Sequence, residues 1–254
     1  MNIALLAPAG FLAGAMNAIA GGGSFVSFPA MVAVGVPALV ANASSTVALM
    51  PASLVSTWAY TTGKHRMPLV TLGKLSFTPL LIASLAGGLT GALLLLFTPP
   101  GLFDTVIPWL LLAATVVFVS GGHLAEKLRG KLHVPDWVVL AVQYVLGIYG
   151  GYFGGAVGLM TLAAWSLLGA HDLKALNPVR TLLVATMNAV AVVCFIVAGI
   201  VWWPETVLAL VGALAGGYVG GRIGQRLPLK AVRGLVILLS VCVTASFFKR
   251  AYWP

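Results

Sequence analysis

Two runs of small residues interrupt the apolar sequence at corresponding places and are its best candidate ligand sites. The first consists of Gly21, Gly22, Gly23 and Ser24, and the second contains Gly154, Gly155 and Gly158. Consecutive glycines disfavour a continuous helix by about 1 kcal/mol each and let a ligand approach the backbone. A helix that begins after such a break, with Ser24 as its cap, presents free N–H groups and the positive end of its dipole. This chemistry binds anions. The alternative is that the glycines serve only close helix packing.

Polar side chains at the start of two later apolar segments have donors that match the same chemistry. Asn42 and Ser45 open one segment, and Asn177, Arg180 and Thr181 open the other with similar spacing. Amides and hydroxyls donate hydrogen bonds to an oxyanion, and an arginine adds paired N–H donors and a positive charge. For the amides and hydroxyls the alternative is N-capping or hydrogen bonding between helices. For Arg180 the alternative is a side chain that snorkels to the membrane surface.

Groups that would support catalysis or metal binding are missing from the apolar segments. The acidic residues all lie at segment ends or in connections: Asp104, Glu126, Asp136, Asp172 and Glu205. No metalloprotease, nucleophile-elbow or nucleotide-binding motif occurs, and the two cysteines stand alone. The sequence therefore predicts no enzyme activity, no metal and no cofactor. Donors without carboxylates suit an anion better than a cation or a proton relay.

The segments that position these residues are too apolar for a water-soluble protein. The first charged side chain is Lys64, and the 254-residue chain is 60% hydrophobic and only 7% charged. Its mean hydropathy is +1.06. About 20 apolar residues suffice for one bilayer crossing, so the uncharged start of the chain alone exceeds two crossings. The net charge of +9 is spread over short connections, which favours loops facing anionic lipid over a nucleic-acid partner.

Charges and turn residues divide the chain into about eight transmembrane spans. We predict these at 3–22, 37–62, 72–97, 104–121, 137–157, 177–201, 205–224 and 231–249. Shorter apolar pieces at 24–35 and 158–169 follow the first and fifth spans and are too short to cross alone. The predicted fold class is an all-α polytopic membrane protein with broken, glycine-rich helices.

Recurring motifs indicate that the chain consists of two four-helix repeats. Small-residue pairs, glycine breaks and Asn/Thr pairs appear in the same order in residues 1–122 and 137–254, on either side of a polar connector at 123–136. Internal duplication is a recurrent plan of membrane transporters. The basic connections fall on opposite sides of the two halves, as in inverted repeats, whereas four crossings per half would make the repeats parallel. The sequence leaves both arrangements open.

The order of these motifs resembles the sulfite exporter TauE/SafE family, also called the TSUP permeases. The residues that carry the resemblance are Gly10, Gly14, Asn17, the 21–24 run, Pro29, Gly35, Pro37, Asn42 and Thr46, followed by Gly147 to Gly158, Asn177 and Arg180. The resemblance covers essentially the whole chain. It implies transport of sulfite, organosulfonates or related small carboxylates across the bacterial inner membrane. Arg180 stands where the first half has Ser45, which argues against a symmetric site.

Together these inferences predict a membrane transporter for a small sulfur-containing or organic anion. It would work by alternating access at a site near the membrane midplane, where the glycine breaks supply N–H groups and Arg180 neutralises the substrate. A passive anion channel is the main alternative, ahead of an intramembrane enzyme or a structural subunit. The expected partners are a small anionic substrate and the lipid bilayer of the inner (plasma) membrane. Homo-oligomerisation is left open.

Overall fold

A computed structural model describes residues 3–62, 76–128, 135–168, 176–224 and 229–253 of the chain. Within these ranges the protein is helical, with one 3₁₀ turn at Ile3–Leu5 and no β-strand. The α-helices are α1 (Leu6–Ile19), α2 (Ser24–Ala33), α3 (Ala38–Thr61), α4 (Phe77–Leu96), α5 (Pro100–Leu128), α6 (Asp136–Tyr152), α7 (Val157–Leu167), α8 (Asn177–Val197), α9 (Trp203–Ile223) and α10 (Leu229–Tyr252). The predicted all-α fold is confirmed.

Several predicted boundaries differ from the structure by a few residues, and two of the differences have a clear physical reason. Helix α5 continues to Leu128, into the predicted connector at 123–136, because Leu, Ala, Glu and Lys are good helix formers. Residues 129–134 of that connector lie outside the described part of the chain. The predicted fifth span at 137–157 ends earlier, at Tyr152, because the chain takes a positive φ of 65° at Gly154.

Six helices are long and apolar enough to cross a membrane. They are α3, α4, α8 and α9, together with the apolar parts of α5 and α10. Helices α1, α2 and α7 are apolar but shorter, and α6 has 17 residues. The described residues thus show a multi-pass membrane protein with six candidate spans, and they do not confirm the predicted eight.

Tryptophans at helix ends are consistent with this placement. Exposed indoles lie near the end of α3, at the starts of α6 and α9, and after α10: Trp58, Trp137, Trp202, Trp203 and Trp253. Tryptophan is enriched at the two boundaries between membrane and water, where its ring meets lipid and its N–H meets the headgroups. Their positions indicate that helix ends lie close to these boundaries.

Helices α1 and α2 form a hairpin rather than one broken span. Helices α1 and α3 run in the same direction. Ala13 packs with Leu49 and, further along both helices, the Ala18 carbonyl accepts a hydrogen bond from Tyr60. Helix α2 runs the opposite way, since Ser27 pairs with Ser45 before the chain turns at 34–37 into the start of α3. The chain therefore returns along α2 towards the end from which α1 starts.

Helices α6 and α7 form a second hairpin of the same kind. Along α4 and α6 the contacts again run in the same order, with Gly87 against Tyr144 and Gly91 against Ile148. Helix α7 starts next to the end of α6 and runs back along it, so that Trp165 donates a 3.3 Å hydrogen bond to Gln143. Each half of the chain therefore contains one hairpin followed by three longer helices.

The helices of the two halves have corresponding packing partners. Helix α1 packs on α9 as α6 packs on α4, and α3 packs on α9 as α8 packs on α4. Helix α5 contacts α7, and α10 contacts α2. Helices α3 and α8 contact each other and run in opposite directions, since Thr57 meets Thr181 while Ser44 meets Trp202. The two hairpins are held against this central pair.

Small residues bring the hairpins close to their neighbours. A Cβ atom on Gly10 or Gly14 of α1 would overlap the carbonyl oxygen of Ala209 or Ala213 in α9. From the other side, Gly212 and Gly216 lie equally close to the carbonyl oxygens of Ala7 and Phe11. Close backbone approach through small residues is how membrane helices gain packing energy. The packing alternative is thus confirmed for these four glycines.

Candidate functional site

The two hairpin tips, at residues 20–23 between α1 and α2 and at 153–156 between α6 and α7, touch each other. The Ser24 hydroxyl, in the first turn of α2, donates a 3.3 Å hydrogen bond to the carbonyl oxygen of Gly154 in the other tip. The backbone of Gly21 lies against the backbone of Gly158, the second residue of α7. The glycine breaks, which are more than 130 residues apart in the sequence, therefore form one junction inside the protein.

Glycine is required at position 21 for two separate reasons. Its φ is +85°, a conformation that residues with a Cβ rarely adopt. A Cβ there would also lie 2.5 Å from the Cα of Gly158 and overlap Nη1 of Arg180. In the second tip, Gly154 has the corresponding positive φ and its open side faces the Thr46 hydroxyl. The tips can meet because Gly21 and Gly158, whose backbones touch, carry no side chain.

Arg180 lies at this junction and is fully buried. It sits in the first turn of α8, whose start is favoured by Pro178, and its exposed fraction is 0%. Its Nη2 atom donates to the carbonyl oxygens of Ala18, at 2.6 Å, and Asn17, at 3.4 Å. Arg180 therefore does not snorkel to the membrane surface, which was the alternative role for this residue.

The rest of the guanidinium has no partner in the part of the chain that the structure describes. Among the described residues, neither Nε nor Nη1 of Arg180 has a hydrogen-bond acceptor, although both atoms are buried. A guanidinium has five N–H donors, and a buried donor without an acceptor costs about 1–3 kcal/mol, more when it is charged. Donors of this kind are chemically suited to bind an acceptor group on a ligand.

These free donors line a small internal cavity. Its walls are Asn17, Gly21, Ser53, Gly158, Arg180, Thr181 and Val184. The empty space among them is about 150 Å³, in gaps too narrow for a water molecule. Two buried hydrogen bonds border it, from Asn17 Nδ2 to Ser53 Oγ at 2.9 Å and between the Thr57 and Thr181 hydroxyls at 2.8 Å. The cavity in this state is too narrow to hold a ligand.

Two helix ends of opposite polarity meet beside Arg180. The carbonyl of Ala18 belongs to the last turn of α1, where the helix dipole places roughly half a negative charge. Gly158 belongs to the first turn of α7, where the dipole places roughly half a positive charge. Arg180 and Thr181 lie in the first turn of α8, where the dipole is again positive, so the helix ends do not offset the positive charge of the guanidinium.

Four of the twelve predicted site residues line this cavity. They are Gly21, Gly158, Arg180 and Thr181. Asn177, one turn before Thr181, is buried with no partner for its Oδ1 atom among the described residues. The Thr181 hydroxyl pairs with the Thr57 hydroxyl and lies within hydrogen-bonding distance of the carbonyl oxygen of Asn177. Three of the four predicted residues at the cavity thus come from the second half of the chain, and Gly21 comes from the first.

Most predicted residues of the first half contact other parts of the protein. Asn42 donates to the Tyr152 carbonyl at 3.0 Å and Ser45 pairs with Ser27 at 2.6 Å. Three predicted glycines do not line the cavity: Gly22 packs against Leu159, Gly23 against Ala13 and Asn17, and Gly155, in the second half, against the Phe153 ring.

Ser24 does not cap α2, as the sequence had suggested, because it is itself the first helical residue. Its hydroxyl bonds to Gly154 instead. The residue at the cap position of α2 is Gly23, which has no side chain to cap the helix.

Sequence reasoning missed Asn17, Ser53 and Val184 as cavity residues. Asn17 contributes to the family resemblance but is not among the predicted site residues. Ser53 is one of several hydroxyl residues in α3. A signal was available, because Ser53 and Thr57 are four apart and therefore share one helix face. That face meets the cavity.

The described side chains offer no group of three metal-ligating residues. Hydrogen-bond donors and one positive charge are what the cavity presents. Such an arrangement can bind and neutralise an anion, and it contains no nucleophile–base pair.

Comparisons with known proteins agree with this chemistry. The family model described as sulfite exporter TauE/SafE matches residues 6–247. A probable membrane transporter protein of Haemophilus influenzae is 27% identical over 252 residues, which cover 99% of this chain and 96% of that protein. Probable membrane transporter protein ORF9 of Sinorhizobium is 27% identical, covering 95% and 90% of the two chains. Probable membrane transporter protein YfcA of Escherichia coli K12 is also 27% identical, covering 92% and 85%. No solved structure matches the chain significantly.

Proposed function

The chain belongs to the sulfite exporter TauE/SafE family, and on that premise we propose that it transports a small oxyanion across the inner membrane. The substrate class is a sulfur-containing or organic anion such as sulfite, an organosulfonate or a small carboxylate. The observation that carries the proposal is the buried guanidinium of Arg180, whose Nε and Nη1 atoms have no acceptor among the described residues. Asn17, Thr181 and the Gly21 and Gly158 backbones complete the proposed site.

We further propose that transport proceeds by alternating access. The cavity lies about two-thirds of the way along α3, at Ser53, and about one-third of the way along the antiparallel α8, at Val184. It therefore lies inside the helix bundle, towards the end of α3 and the start of α8. Its gaps exclude water, which favours a carrier in a closed state over an open channel. The glycine breaks at the tips are the natural hinges for opening.

The helix directions support a particular form of the two-repeat plan. With each hairpin entering and leaving on one side, each half has three crossings, and an odd number of crossings places the second half upside down. We therefore propose inverted repeats within 1–122 and 137–254, each made of one re-entrant hairpin and three spans. This proposal reconciles the reversed charge bias with the duplicated motifs and replaces a count of eight full crossings.

The distribution of basic residues gives this arrangement an orientation. In the sequence, the segments that follow α3, α5, α7 and α9, with the helix ends beside them, contain eleven of the 14 lysines and arginines. The short connections at 34–37, 97–99 and 198–202, on the opposite side, contain none. Lysine and arginine accumulate in cytoplasmic loops. We propose that the side with the segments that follow α3, α5, α7 and α9 is cytoplasmic.

The test is exchange transport in proteoliposomes that contain the purified protein. Vesicles are loaded with unlabelled sulfite, methanesulfonate or acetate, and uptake of radiolabelled sulfite is followed. A carrier shows saturable uptake that is accelerated by substrate inside the vesicle. A channel shows faster flux without this acceleration, and that result would replace alternating access by the channel alternative.

Arg180→Ala is the decisive variant. It should abolish uptake while the protein still folds, because the Ala18 carbonyl keeps its hydrogen bond from Tyr60. Arg222→Ala is the matched control, since Arg222 is exposed and donates only at the end of α3, to the Thr62 carbonyl. Full uptake by folded Arg180→Ala protein would remove the guanidinium from the substrate site and with it the proposal.

A further inference from the structure

Asn188 is a buried amide that the proposed site does not use. It lies near the middle of α8, which has 21 residues and is a candidate membrane span. Its side chain is only 4% exposed. Among the described residues, its Oδ1 atom has no hydrogen-bond partner. The start of α8 is about 17 Å away along the helix axis, so this amide lies deep within the span.

Other buried amides of the protein are paired. Asn42 donates to a backbone carbonyl of α6 at 3.0 Å. Gln143 donates to a hydroxyl of α4 and accepts from an indole of α7. These amides connect helices, whereas the Oδ1 atom of Asn188 connects to no described helix. A polar group at membrane depth is costly, and one that does not serve packing is typical of a substrate path.

Asn188 shares a helix face with the cavity. Thr181 and Val184 line the cavity, and Asn188 follows them by seven and four residues, which is the spacing of one face of an α-helix. The same face meets α3, because the Thr181 hydroxyl pairs with the Thr57 hydroxyl. Asn188 lies about 12 Å from Arg180 along the axis, too far for one small oxyanion to contact both side chains. The face thus presents two polar positions in succession.

We propose that Asn188 is a second, transient contact for the transported oxyanion on its way across the membrane. The proposal rests on the transport function above and adds a position to its path. An anion that leaves Arg180 for the other side of the membrane passes the middle of α8, where the amide donates a hydrogen bond to it through Nδ2 and accepts one from its hydroxyl or hydrating water through Oδ1. A neutral amide holds an anion less tightly than a guanidinium does, so the contact assists crossing without trapping the substrate.

The test separates the rate of transport from the strength of binding. Asn188→Leu replaces the amide by an apolar side chain of nearly the same size. Exchange of radiolabelled sulfite is measured in proteoliposomes, and sulfite binding to the purified protein is measured by calorimetry. We expect exchange to fall by at least about tenfold while the Kd changes by less than about twofold. The unfolding temperature should not fall, because the Oδ1 atom that is removed has no described partner to lose.

Gln143→Met is the matched control. It removes a buried amide from another helix, one that donates to Ser84 and accepts from Trp165. Because these two partners are left without their hydrogen bonds, the unfolding temperature should fall. Exchange per folded molecule should stay at the level of the unmodified protein, since Gln143 does not lie on the face of α8 that carries the proposed path.

Three results of the Asn188→Leu experiment would overturn the proposal. Unchanged exchange would show that the amide is not on the path. A Kd that rises in proportion to the loss of exchange would place Asn188 in the Arg180 site instead of at a second position. A lower unfolding temperature together with lost exchange would assign the amide a structural role. If the unmodified protein exchanges no anion at all, the transport function fails as well, so the two failures are distinguishable.

A second variant keeps the proposal testable if Asn188→Leu does not fold. Asn188→Cys is made in a chain whose Cys194 and Cys242 are replaced by alanine, and it is treated in proteoliposomes with 2-sulfonatoethyl methanethiosulfonate, a small anionic thiol reagent. The thiol should react, and methanesulfonate should slow the reaction by competing for the path. Gln143→Cys is the control and should show no such competition. Absence of reaction at position 188, or reaction that methanesulfonate does not slow, would contradict the proposal.

Discussion

The Nη2 atom of Arg180 lies 2.6 Å from the carbonyl oxygen of Ala18. This contact joins the first turn of α8 to the last turn of α1, across 162 positions of sequence. The same carbonyl accepts a 3.0 Å hydrogen bond from the Tyr60 hydroxyl of α3. One end of the guanidinium therefore holds a hairpin tip, while its Nε and Nη1 atoms have no acceptor in the described part of the chain. Substrate binding and tip movement are thus expected to be coupled through one side chain.

Replacing Arg180 by lysine should weaken substrate binding without abolishing it. An ammonium has three N–H donors instead of five and lacks the planar fork, so it cannot both hold the Ala18 carbonyl and bind the substrate as well as arginine does. We expect the apparent KM for sulfite uptake to rise by about tenfold, corresponding to about 1.4 kcal/mol. An unchanged KM would mean that the guanidinium does not contact the substrate.

Adding one methyl group at Gly21 should disrupt the junction. In Gly21→Ala the new Cβ overlaps Arg180 and the Gly158 backbone, and φ is +85°. Backbone strain alone costs about 1–2 kcal/mol, and the overlap adds to it. We expect a lower unfolding temperature and loss of uptake.

The matched control for Gly21 is Gly199→Ala. Gly199 has a φ of +71°, and a Cβ there meets nothing within 4 Å. This variant carries the backbone strain without the overlap, so it should lose some stability and keep its uptake. Equal loss of uptake in both variants would point to backbone strain in general and not to the tip junction.

Removing the Tyr60 hydroxyl tests the role of the Ala18 carbonyl, the acceptor that Tyr60 shares with Arg180. Tyr60→Phe deletes one of the two hydrogen bonds to the Ala18 carbonyl, which keeps its bond from Arg180. A buried hydrogen bond contributes about 0.5–1.5 kcal/mol, so we expect a decrease of that size in unfolding free energy. When Tyr60→Phe is combined with Arg180→Lys, the decrease in unfolding free energy should exceed the sum of the two single decreases, because both donors serve one oxygen. Strict additivity would contradict the coupling.

The proposed orientation can be checked with single cysteines in a chain whose Cys194 and Cys242 are replaced by alanine. Ser76 precedes α4 and Pro99 follows it, and both are exposed. A membrane-impermeant thiol reagent added to intact cells should label Pro99→Cys but not Ser76→Cys. Inside-out vesicles should show the reverse. The opposite pattern would invert the orientation, and labelling of both from one side would show that α4 does not cross.

Much of the fold could be predicted from composition and spacing. Six of the eight predicted spans correspond to helices long enough to cross a membrane. The other two, at 3–22 and 137–157, correspond to α1 and α6, the first helix of each hairpin. Hydropathy reports that a segment prefers lipid to water, but it does not report which way the chain turns after a break. The direction of α2 and α7 depends on contacts with α3 and α6, which belong to the tertiary structure.

The candidate site was predicted in part for a related reason. Arg180, Gly21 and Gly158 stand out in the sequence because a charge or a glycine run inside an apolar segment is costly unless something uses it. Asn17 and Ser53 do not stand out, because hydroxyls and amides also serve as bonds between helices. Only the folded chain shows that they border the cavity with Arg180.

Composition and spacing alone are enough to predict a helical membrane protein whose apolar segments are interrupted by two glycine runs, with one arginine near the start of a later segment. These are local properties, since each follows from the transfer energy and backbone freedom of neighbouring residues. Only tertiary packing shows that the two breaks meet, that Gly21 faces Arg180, and that Nε and Nη1 of the guanidinium have no acceptor among the described residues. Those relationships join residues 130 or more positions apart. They depend on which helix backbones can approach closely, a property of packed pairs of helices that no single segment contains.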